Sequence, residues 1–282
     1  MLYTYIMKIA IQYSGFLRFI TDTYPLLNTF FTANENIEFY IFVHTWDTST
    51  PEDIEYLKNV IKPHRYYIDK QKDFEKHPYQ LINVNDTHEE YLNNPLRHKY
   101  NSDNPHDVKK YFEKPSNENN YTFSKDLEVA RFGDYSHYPF NTLSLFYSIH
   151  QVGLLTNSYA QENNITFDYV VRMRTDIILY NTINLSLLDK SKLYLYDANL
   201  HKGEHGSYTL NDQFAISNQK NMSIYNDIFI YLPCYYTIFE IDWISELLVG
   251  FHLNYNNIQI VKMPRSYNIL KYHTNVIKRP TC

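Results

Sequence analysis

Short apolar runs alternate with amphipathic stretches over the first 70 residues of the chain. The first run stops at Ser14 and Gly15, a pair typical of the turn that follows a buried strand. In the stretches between the runs, apolar side chains recur every three or four positions, as on one face of a helix, and Pro25 conflicts with this pattern. An alternation of strands and helices is typical of an α/β fold with a parallel sheet. The pattern predicts strands at 7–13, 37–43 and 65–69 and helices at 18–31 and 51–61.

The stretch 70–139 interrupts this rhythm. It is rich in Asn, Asp, Glu, Lys, His and Pro and poor in aliphatic residues. It is also long for a connection between two elements, so we expect a functional insertion, a lid or a mobile segment. Its five histidines do not have the spacing of metal ligands.

A strong helical pattern begins at Phe140, where apolar residues recur at every third position up to Leu155. Asp242 is placed to cap the last predicted helix. We expect a single α/β domain with a central, mostly parallel sheet, flanked by helices and carrying a long polar insertion. The remaining predicted elements are strands at 167–173, 192–196, 211–217 and 258–263 and helices at 220–230 and 243–251.

The composition narrows the class of protein. Hydrophobic residues make up 44% of the 282 residues, enough to bury a sizeable core. Lys and Arg total 26 against 31 Asp and Glu, and the net charge of −5 argues against a dedicated nucleic-acid binder. No apolar run reaches the roughly 18 residues of a transmembrane helix, and the opening segment predicts a strand rather than a signal peptide. Two cysteines support neither a disulfide framework nor a zinc site, so we expect a cytoplasmic protein.

Polar residues follow the first predicted strand, at the place where open α/β sheets bind ligands. Gly15, after Ser14, allows the backbone to approach a ligand closely, and Arg18 offers a guanidinium suited to phosphate. The pattern matches neither a dinucleotide-binding glycine motif nor a P-loop. A plain strand-to-helix turn with a surface arginine explains it equally well.

A second polar group follows the strand at 37–43. It consists of His44, Thr45, Trp46 and Asp47 and places an aromatic ring among hydrogen-bonding side chains, which suits a planar ligand. Alternatively, Trp46 packs on the core and Asp47 begins the next turn. Both interpretations stay open.

The end of the strand at 167–173 has the most informative chemistry. Arg172, Arg174 and Asp176 alternate there, and a regular strand would point all three to one face. Arginine is costly to bury without a partner. The pattern indicates either an anionic ligand, with the carboxylate holding Mg²⁺ or Mn²⁺, or Arg–Asp ion pairs that join strands.

Two further carboxylates and an amide are candidates for the site. Asp212 and Gln213 precede a small apolar strand and are typical of residues that line a cleft. Glu246 lies off the apolar stripe of the last helix, so we expect it to face solvent or a cleft. Either carboxylate suits a general base. A favourable charge at the start of a helix is the alternative for Glu246.

At these positions the chain resembles nucleotide-sugar-dependent glycosyltransferases of the GT-A type, and more narrowly a little-characterised branch found in bacteria and large DNA viruses. The resemblance covers about 1–70 and 140–270 and implies a Rossmann-like GT-A fold. The shared signals are S-G-x-x-R at 14–18, F-V-H-T-W-D at 42–47, the Asp- and Arg-containing segment 168–176 and D-Q-F-A at 212–215.

The resemblance implies a bound nucleotide-sugar and usually a divalent cation, held by a D-x-D motif after a central strand. In this chain Arg174 takes the place of the first aspartate, and Asp176 matches the second, the usual metal ligand. One carboxylate can still bind Mn²⁺ or Mg²⁺ when a diphosphate supplies further oxygens. Alternatively, Arg172 and Arg174 replace the cation.

The resemblance also divides the chain and implies roles for its residues. It implies a nucleotide-binding half at about 1–70 and 140–180, the insertion at 70–139 and an acceptor-side half at about 181–282. Asp212 or Glu246 would act as base toward a glycan or glycoconjugate acceptor. The implied nucleotide-sugar contacts are Ser14, Gly15, Arg18, Thr45, Trp46, Asp47, Arg172, Arg174 and Gln213.

We therefore expect transfer of a sugar from a nucleotide-sugar, in the host cytoplasm if the protein is viral. The missing first aspartate motivates an alternative, a nucleotide- or glycan-binding protein of the same fold that has lost catalysis. A phosphoryl- or nucleotidyltransferase is a third and weaker hypothesis, since such enzymes usually need a paired-carboxylate metal site and none is evident.

Overall fold

The computed structural model describes residues 5–30, 36–72, 138–179, 182–197, 210–237, 245–263 and 267–269. The predicted insertion at 70–139 lies outside these ranges except for its first three and last two residues, and so does Asp242, the predicted helix cap.

The strands lie where the apolar runs predict them, with two additions. They are β1 (Met7–Ser14), β2 (Ile37–Trp46), β3 (Arg65–Asp69), β4 (Tyr169–Met173), β5 (Ile177–Leu179), β6 (Leu193–Asp197), β7 (Leu210–Ser217), β8 (Ile260–Met263) and β9 (Tyr267–Ile269). Seven of them form one sheet in the order β3-β2-β1-β4-β7-β6-β8. β7 is antiparallel to both its neighbours, and the other pairs are parallel. β5 and β9, which the sequence pattern does not predict, form a separate antiparallel pair.

The helices flank this sheet. They are α1 (Ile20–Thr23), α2 (Leu27–Phe30), α3 (Pro51–Tyr56), α4 (Tyr138–Glu162), α5 (Gln219–Asn226), α6 (Ile228–Thr237) and α7 (Ser245–Tyr255). The expected α/β class with a mostly parallel central sheet is confirmed, and the arrangement is compatible with a Rossmann-like fold. Within the ranges that the structure describes, no helix has both the length and the apolar character needed to cross a membrane.

Two predicted helices are each interrupted. Over 18–31, α1 gives way to a 3₁₀ turn, Tyr24–Leu26, and α2 follows it. Pro25 lies in that turn and has no amide hydrogen to donate, so a continuous α-helix cannot form through it. The helix predicted at 220–230 is also two helices, α5 and α6, which meet at Asp227.

The helix predicted at 51–61 begins where the sequence places it, with Pro51 in the first turn. Thr50 caps it: its hydroxyl oxygen accepts a hydrogen bond from the Asp53 amide at 3.2 Å and donates to the Asp53 carboxylate at 2.8 Å. The helix ends in a π-helical segment, Leu57–Ile61.

Two hydrophobic cores lie on opposite faces of the sheet, because successive side chains of a strand point in opposite directions. Ala10 of β1 belongs to one core, and its neighbours Ile9 and Ile11 belong to the other. Helices α4 to α7 contribute to the first core, which includes the apolar stripe predicted over 143–155. The segments around α1, α2 and α3 contribute to the second.

A series of buried, hydrogen-bonded polar side chains crosses the first core. The Gln12 amide donates to the Thr156 hydroxyl at 2.9 Å, and the Asn226 amide donates to the Gln12 side-chain oxygen at 3.2 Å. Asn226 lies against Gly153 of α4, where an added Cβ atom would lie only 2.6 Å from the Asn226 Cβ. The close approach of α4 and α5 therefore depends on glycine at this position.

We expect Gly153→Ala to lower the free energy of unfolding by about 1–3 kcal/mol, because the added methyl group overpacks against Asn226. Helix propensity alone would instead stabilise α4 by ~1 kcal/mol. Urea unfolding followed by circular dichroism shows whether the substitution lowers or raises the free energy of unfolding. Leu154→Ala, at a neighbouring side chain that is 49% exposed, is the control and should change stability by only about 0.5 kcal/mol. A Gly153→Ala protein as stable as the wild type would contradict the packing argument.

Candidate functional site

The order of strands reverses next to β1. From β1 the chain adds β2 and β3 on one side of the sheet, and β4 then takes the other side. In open α/β sheets, ligands bind in the crevice at such a reversal, beyond the carboxyl ends of the two strands. Since Tyr13 of β1 pairs with Met173 of β4, the residues that follow these two meet at the same edge.

The antiparallel strand β7 begins at this edge as well. The Arg174 amide donates to the Gln213 carbonyl at 3.1 Å. Asn211 fixes the start of β7, because its side-chain oxygen accepts hydrogen bonds from the amides of Gln213 (2.8 Å) and Phe214 (3.2 Å). We call the edge formed by residues 14–18, 174–176 and 211–213 the switch crevice.

Hydrogen bonds from two directions hold the turn after β1. The Gly15 amide donates to the His44 carbonyl at 3.1 Å and to the Ser148 hydroxyl at 2.7 Å. On the other side, the Thr175 hydroxyl donates to the Phe16 carbonyl at 2.7 Å. Gly15 has a φ of +100°, and among the described residues, its two chain neighbours apart, no atom lies within 4 Å of the position that a Cβ would occupy. The turn is thus fixed, and the described part of the chain leaves space above Gly15.

Arg172 lies beneath the switch crevice and is 0% exposed. Its Nε donates to the Ser14 hydroxyl at 3.1 Å, and its Nη1 donates to the Asp212 carbonyl. Burial lowers the pKa of the Arg172 guanidinium, and the neighbouring Tyr225 and Asp212 oppose this effect. Within the described residues, Arg172 Nη2 and the Tyr225 hydroxyl have no hydrogen-bond partner. Arg172 therefore joins the end of β1 to the start of β7 and forms the floor of the crevice.

The strand that contains Arg172 ends at Met173, and a turn follows it. A regular strand through Asp176, the condition for Arg172, Arg174 and Asp176 to share one face, is therefore absent, because strand alternation stops before Arg174. Arg174 and Asp176 instead bind each other, with Nε 2.9 Å from Oδ1 and Nη2 2.6 Å from Oδ2. The Asp176 side chain is 5% exposed and that of Arg174 is 32% exposed, so Arg174 has the more accessible side chain of the pair.

The groups around Asp176 do not fit a divalent cation. Both carboxylate oxygens accept hydrogen bonds from Arg174, and the charge of Arg172 also acts on Asp176. Mg²⁺ and Mn²⁺ favour several oxygen ligands. Across the described ranges, no group of three or more His, Cys, Asp or Glu side chains could hold a metal ion. A cation at Asp176 would require Arg174 to leave it first.

The two carboxylates considered as bases, Asp212 and Glu246, interact electrostatically. Asp212 is buried at the start of β7, and Glu246 is half-buried in the first turn of α7. Burial and then the charge of Asp212 raise the pKa of Glu246 above its ordinary value. The Ser245 hydroxyl donates to Glu246 Oε2 at 2.9 Å. A carboxyl group with a raised pKa beside a second carboxylate is typical of groups that exchange protons in catalysis.

The end of β2 is placed differently from the end of β1. β2 extends to Trp46, and both Thr45 and Trp46 are 0% exposed. The Trp46 ring stacks on Tyr147 with 5.6 Å between centroids, so it packs in the core, which is the second of the two interpretations. Asp47 is exposed and accepts a hydrogen bond from the Gln71 amide at 3.1 Å.

Arg18 is exposed at the outer end of the β1 turn. Its guanidinium lies over the Phe16 ring, 4.9 Å from the centroid. The Arg18 guanidinium therefore packs on an aromatic ring of the same turn.

A buried polar cluster behind the β1 turn was not predicted from the sequence. His44 Nδ1 lies 2.7 Å from the Ser148 hydroxyl, and His44 Nε2 lies 3.9 Å from Asp69 Oδ2. The Tyr147 hydroxyl donates to the same Asp69 oxygen at 2.8 Å. Ser148 and His44 are both 0% exposed, so they support the Gly15 turn rather than attack a substrate. His44 belongs to the polar group predicted after the strand at 37–43, but the sequence pattern did not indicate that Ser148 would join it.

Asp168, the first carboxylate of the segment 168–176, lies just before β4, at the opposite end of the strands from the switch crevice. It accepts hydrogen bonds from the Tyr5 hydroxyl, from the Lys8 amide at 2.9 Å and from the Lys190 ammonium at 2.7 Å. These bonds join the amino-terminal ends of β1 and β4. Asp168 is thus a structural residue, far along the strand from the switch crevice.

A cavity of about 320 Å³ lies away from the switch crevice. Its walls contain none of the candidate site residues, so no chemistry is assigned to it. The lining residues are Tyr24, Pro25, Leu27, Phe39, Ile41, Ile61, Lys62 and His64.

A scan against protein-family models finds no match to the chain, and a search of curated proteins finds no significant match. Since a fold does not by itself imply a function, the activity has to be argued from the site.

Proposed function

We propose that the protein is a glycosyltransferase of the GT-A type, which transfers a sugar from a nucleotide-sugar to a hydroxyl group of a glycan or glycoconjugate. The observation that carries this proposal is the composition of the switch crevice. Arg174, whose side chain is 32% exposed, lies at the same sheet edge as Asp212, whose carboxylate interacts with Glu246. An inverting glycosyl transfer needs both kinds of group, a cation for the leaving diphosphate and a base for the acceptor.

The β1 turn supports binding of the nucleotide part of the donor. The open space above Gly15 allows a nucleoside or phosphate group to approach the backbone. Hydrogen bonds to His44 and Ser148 keep this turn in place. Arg18 stands at its outer end as a further cation.

The proposed reaction moves one proton and one sugar. Glu246 or Asp212 takes the proton of the acceptor hydroxyl, and the acceptor oxygen forms a bond to the anomeric carbon. The bond between that carbon and the diphosphate oxygen breaks, and its electron pair stays on the diphosphate. The guanidinium of Arg174 stabilises the negative charge of the leaving group.

A binding protein without catalysis is the second candidate, because Asp176 is engaged by Arg174 in an ion pair. Such a protein would use the same crevice and recognise a nucleotide. It would differ only in leaving the donor sugar intact.

Thermal unfolding with UDP, GDP, CMP, dTDP and their sugars tests the proposal. We expect one nucleotide family to raise Tm by about 5 °C at roughly 100 times its Kd, and the corresponding nucleotide-sugar to be consumed when a glycan acceptor is present. A rise in Tm without consumption of the sugar would favour the binding protein. No rise with any nucleotide would contradict both candidates.

A further inference from the structure

We infer that the switch crevice binds a diphosphate without a metal ion: Arg174 supplies the positive charge, and Asp176 is a positioning residue that orients the Arg174 guanidinium. The inference rests on the proposed function for the nucleotide attached to the diphosphate, while the anion site itself is argued from the crevice alone.

Asp176 fixes the plane of the Arg174 guanidinium. Two parallel contacts, Nε to Oδ1 at 2.9 Å and Nη2 to Oδ2 at 2.6 Å, hold one edge of the planar group. A bidentate pair of this kind defines orientation as well as distance. Because the N–H groups of a guanidinium form a rigid fork, its other donors point away from the carboxylate.

The backbone that carries the pair is itself held in place. The Thr175 hydroxyl donates to the Phe16 carbonyl at 2.7 Å, and the Thr23 hydroxyl donates to the Thr175 carbonyl. Directly after Asp176, Ile177 begins β5 and pairs with Ile269 of β9. The guanidinium therefore stands on a turn that is tied both to the β1 turn and to the small sheet.

The two guanidinium groups near Asp176 oppose the binding of a cation to this carboxylate. Arg174 forms an ion pair with Asp176, and Arg172 interacts with it electrostatically, so two guanidinium groups already compensate the charge of this carboxylate. A divalent cation bound to Asp176 would replace one guanidinium and face the other. The carboxylates Asp212 and Glu246 lie near the crevice, but within the described part of the chain they do not join Asp176 in a group that could hold a metal.

The difference in exposure between the two arginines shows which one meets the ligand. Arg172 is 0% exposed and bonds to Ser14 and to the Asp212 carbonyl, so its position is structural. The Arg174 side chain is 32% exposed. An incoming diphosphate can therefore contact Arg174, whereas Arg172 contributes its charge from below.

Isothermal titration of the full chain tests the inference, with inorganic pyrophosphate and with the nucleoside diphosphate that raises Tm most. We expect both ligands to bind in EDTA, without any added divalent cation. Arg174→Met should raise Kd about 10- to 100-fold, as expected for the loss of charged hydrogen bonds. Asp176→Asn should raise Kd about 3- to 10-fold, because the guanidinium keeps its charge and loses its orientation.

A double variant and a matched control separate positioning from stability. Adding Asp176→Asn to Arg174→Met should not raise Kd further, because Asp176 acts only through Arg174. The control is Asp168→Asn, which removes a carboxylate paired with Lys190 at the opposite end of the strands and should leave Kd unchanged. Additive effects of the two crevice substitutions would overturn the positioning role.

The remaining outcomes distinguish this inference from the proposed function. Nucleotide binding that is lost in EDTA and restored by Mn²⁺ would overturn the metal-free site and leave the glycosyltransferase proposal intact. Pyrophosphate binding that depends on Arg174, without binding of any nucleotide, would uphold the anion site and contradict the proposed function. Absence of binding by both ligands would overturn both.

Discussion

Glu246→Gln is expected to lower kcat by about 100- to 10,000-fold, the contribution that general acid–base catalysis makes to enzymatic rates. Glutamine keeps the size of the side chain and can still accept the hydrogen bond from Ser245, but it cannot take a proton. Burial and the charge of Asp212 raise the pKa of Glu246, which suits it to accept the proton of a hydroxyl. The rate of nucleoside diphosphate release, measured with the donor family that raises Tm, gives kcat.

The pH dependence of kcat/KM shows whether Asp212 acts through Glu246. A base must be deprotonated to act, so activity falls as the pH drops through its pKa. The negative charge of Asp212 raises the pKa of Glu246, so Asp212→Asn should move the acid limb of the profile to lower pH. Asp168→Asn is the control and should leave the profile unchanged. Near wild-type kcat in Glu246→Gln, with an unchanged acid limb, would contradict the assignment of the base.

Acidification is expected to destabilise the protein between pH 6.5 and about 4, because two buried histidines must stay neutral in the folded state. His44 and His252 are 0% exposed, and burial lowers the pKa of each from 6.5 to about 4. His252 Nε2 lies 2.6 Å from the Ile224 carbonyl, which only accepts, so Nε2 carries the proton and Nδ1 accepts from the Tyr235 hydroxyl. Protonation of Nδ1 would disrupt this arrangement.

The direction of this pH effect follows from the pKa of each histidine in the unfolded chain and in the folded protein. The unfolded chain takes up a proton below pH 6.5 and the folded chain only near pH 4, so stability is complete above 6.5 and decreases as the pH falls. At about 1.36 kcal/mol per pKa unit, each histidine accounts for roughly 3 kcal/mol by pH 4. Urea unfolding at a series of pH values measures the slope of the free energy of unfolding against pH. His252→Gln should reduce that slope relative to the wild type, and an unchanged slope would show that His252 does not titrate in this range.

The spacing of apolar residues predicted most of the strands and helices, because the sheet is covered by a hydrophobic core on each face. Every buried strand needs apolar residues, and the stripe over 143–155 had to form one face of α4. Local patterns could not predict β5 and β9, since these strands are short and their pairing joins residues far apart in the chain. Local sequence patterns also did not predict that the helix at 220–230 would divide into α5 and α6 at Asp227.

The candidate site was predictable in its location but not in its contacts. The rule that ligands bind at strand ends selected the edge where Ser14, Arg174 and Asp212 meet, and the structure places these residues there. Sequence alternation failed after Met173, because only coordinates show where a strand stops. The support that Ser148 gives to Gly15 spans more than a hundred residues, and no local pattern predicts such a contact.

Both the proposed function and the metal-free anion site require that an anionic ligand binds in the switch crevice. Amide hydrogen exchange of the full chain, with and without the nucleoside diphosphate that raises Tm most, tests it most directly. We expect slower exchange at residues 15–18 and 174–176 when the ligand is bound, because the ligand covers and rigidifies these turns. Slower exchange confined to 24–27 and 61–64, which line the separate cavity, with no change at the crevice, would contradict it.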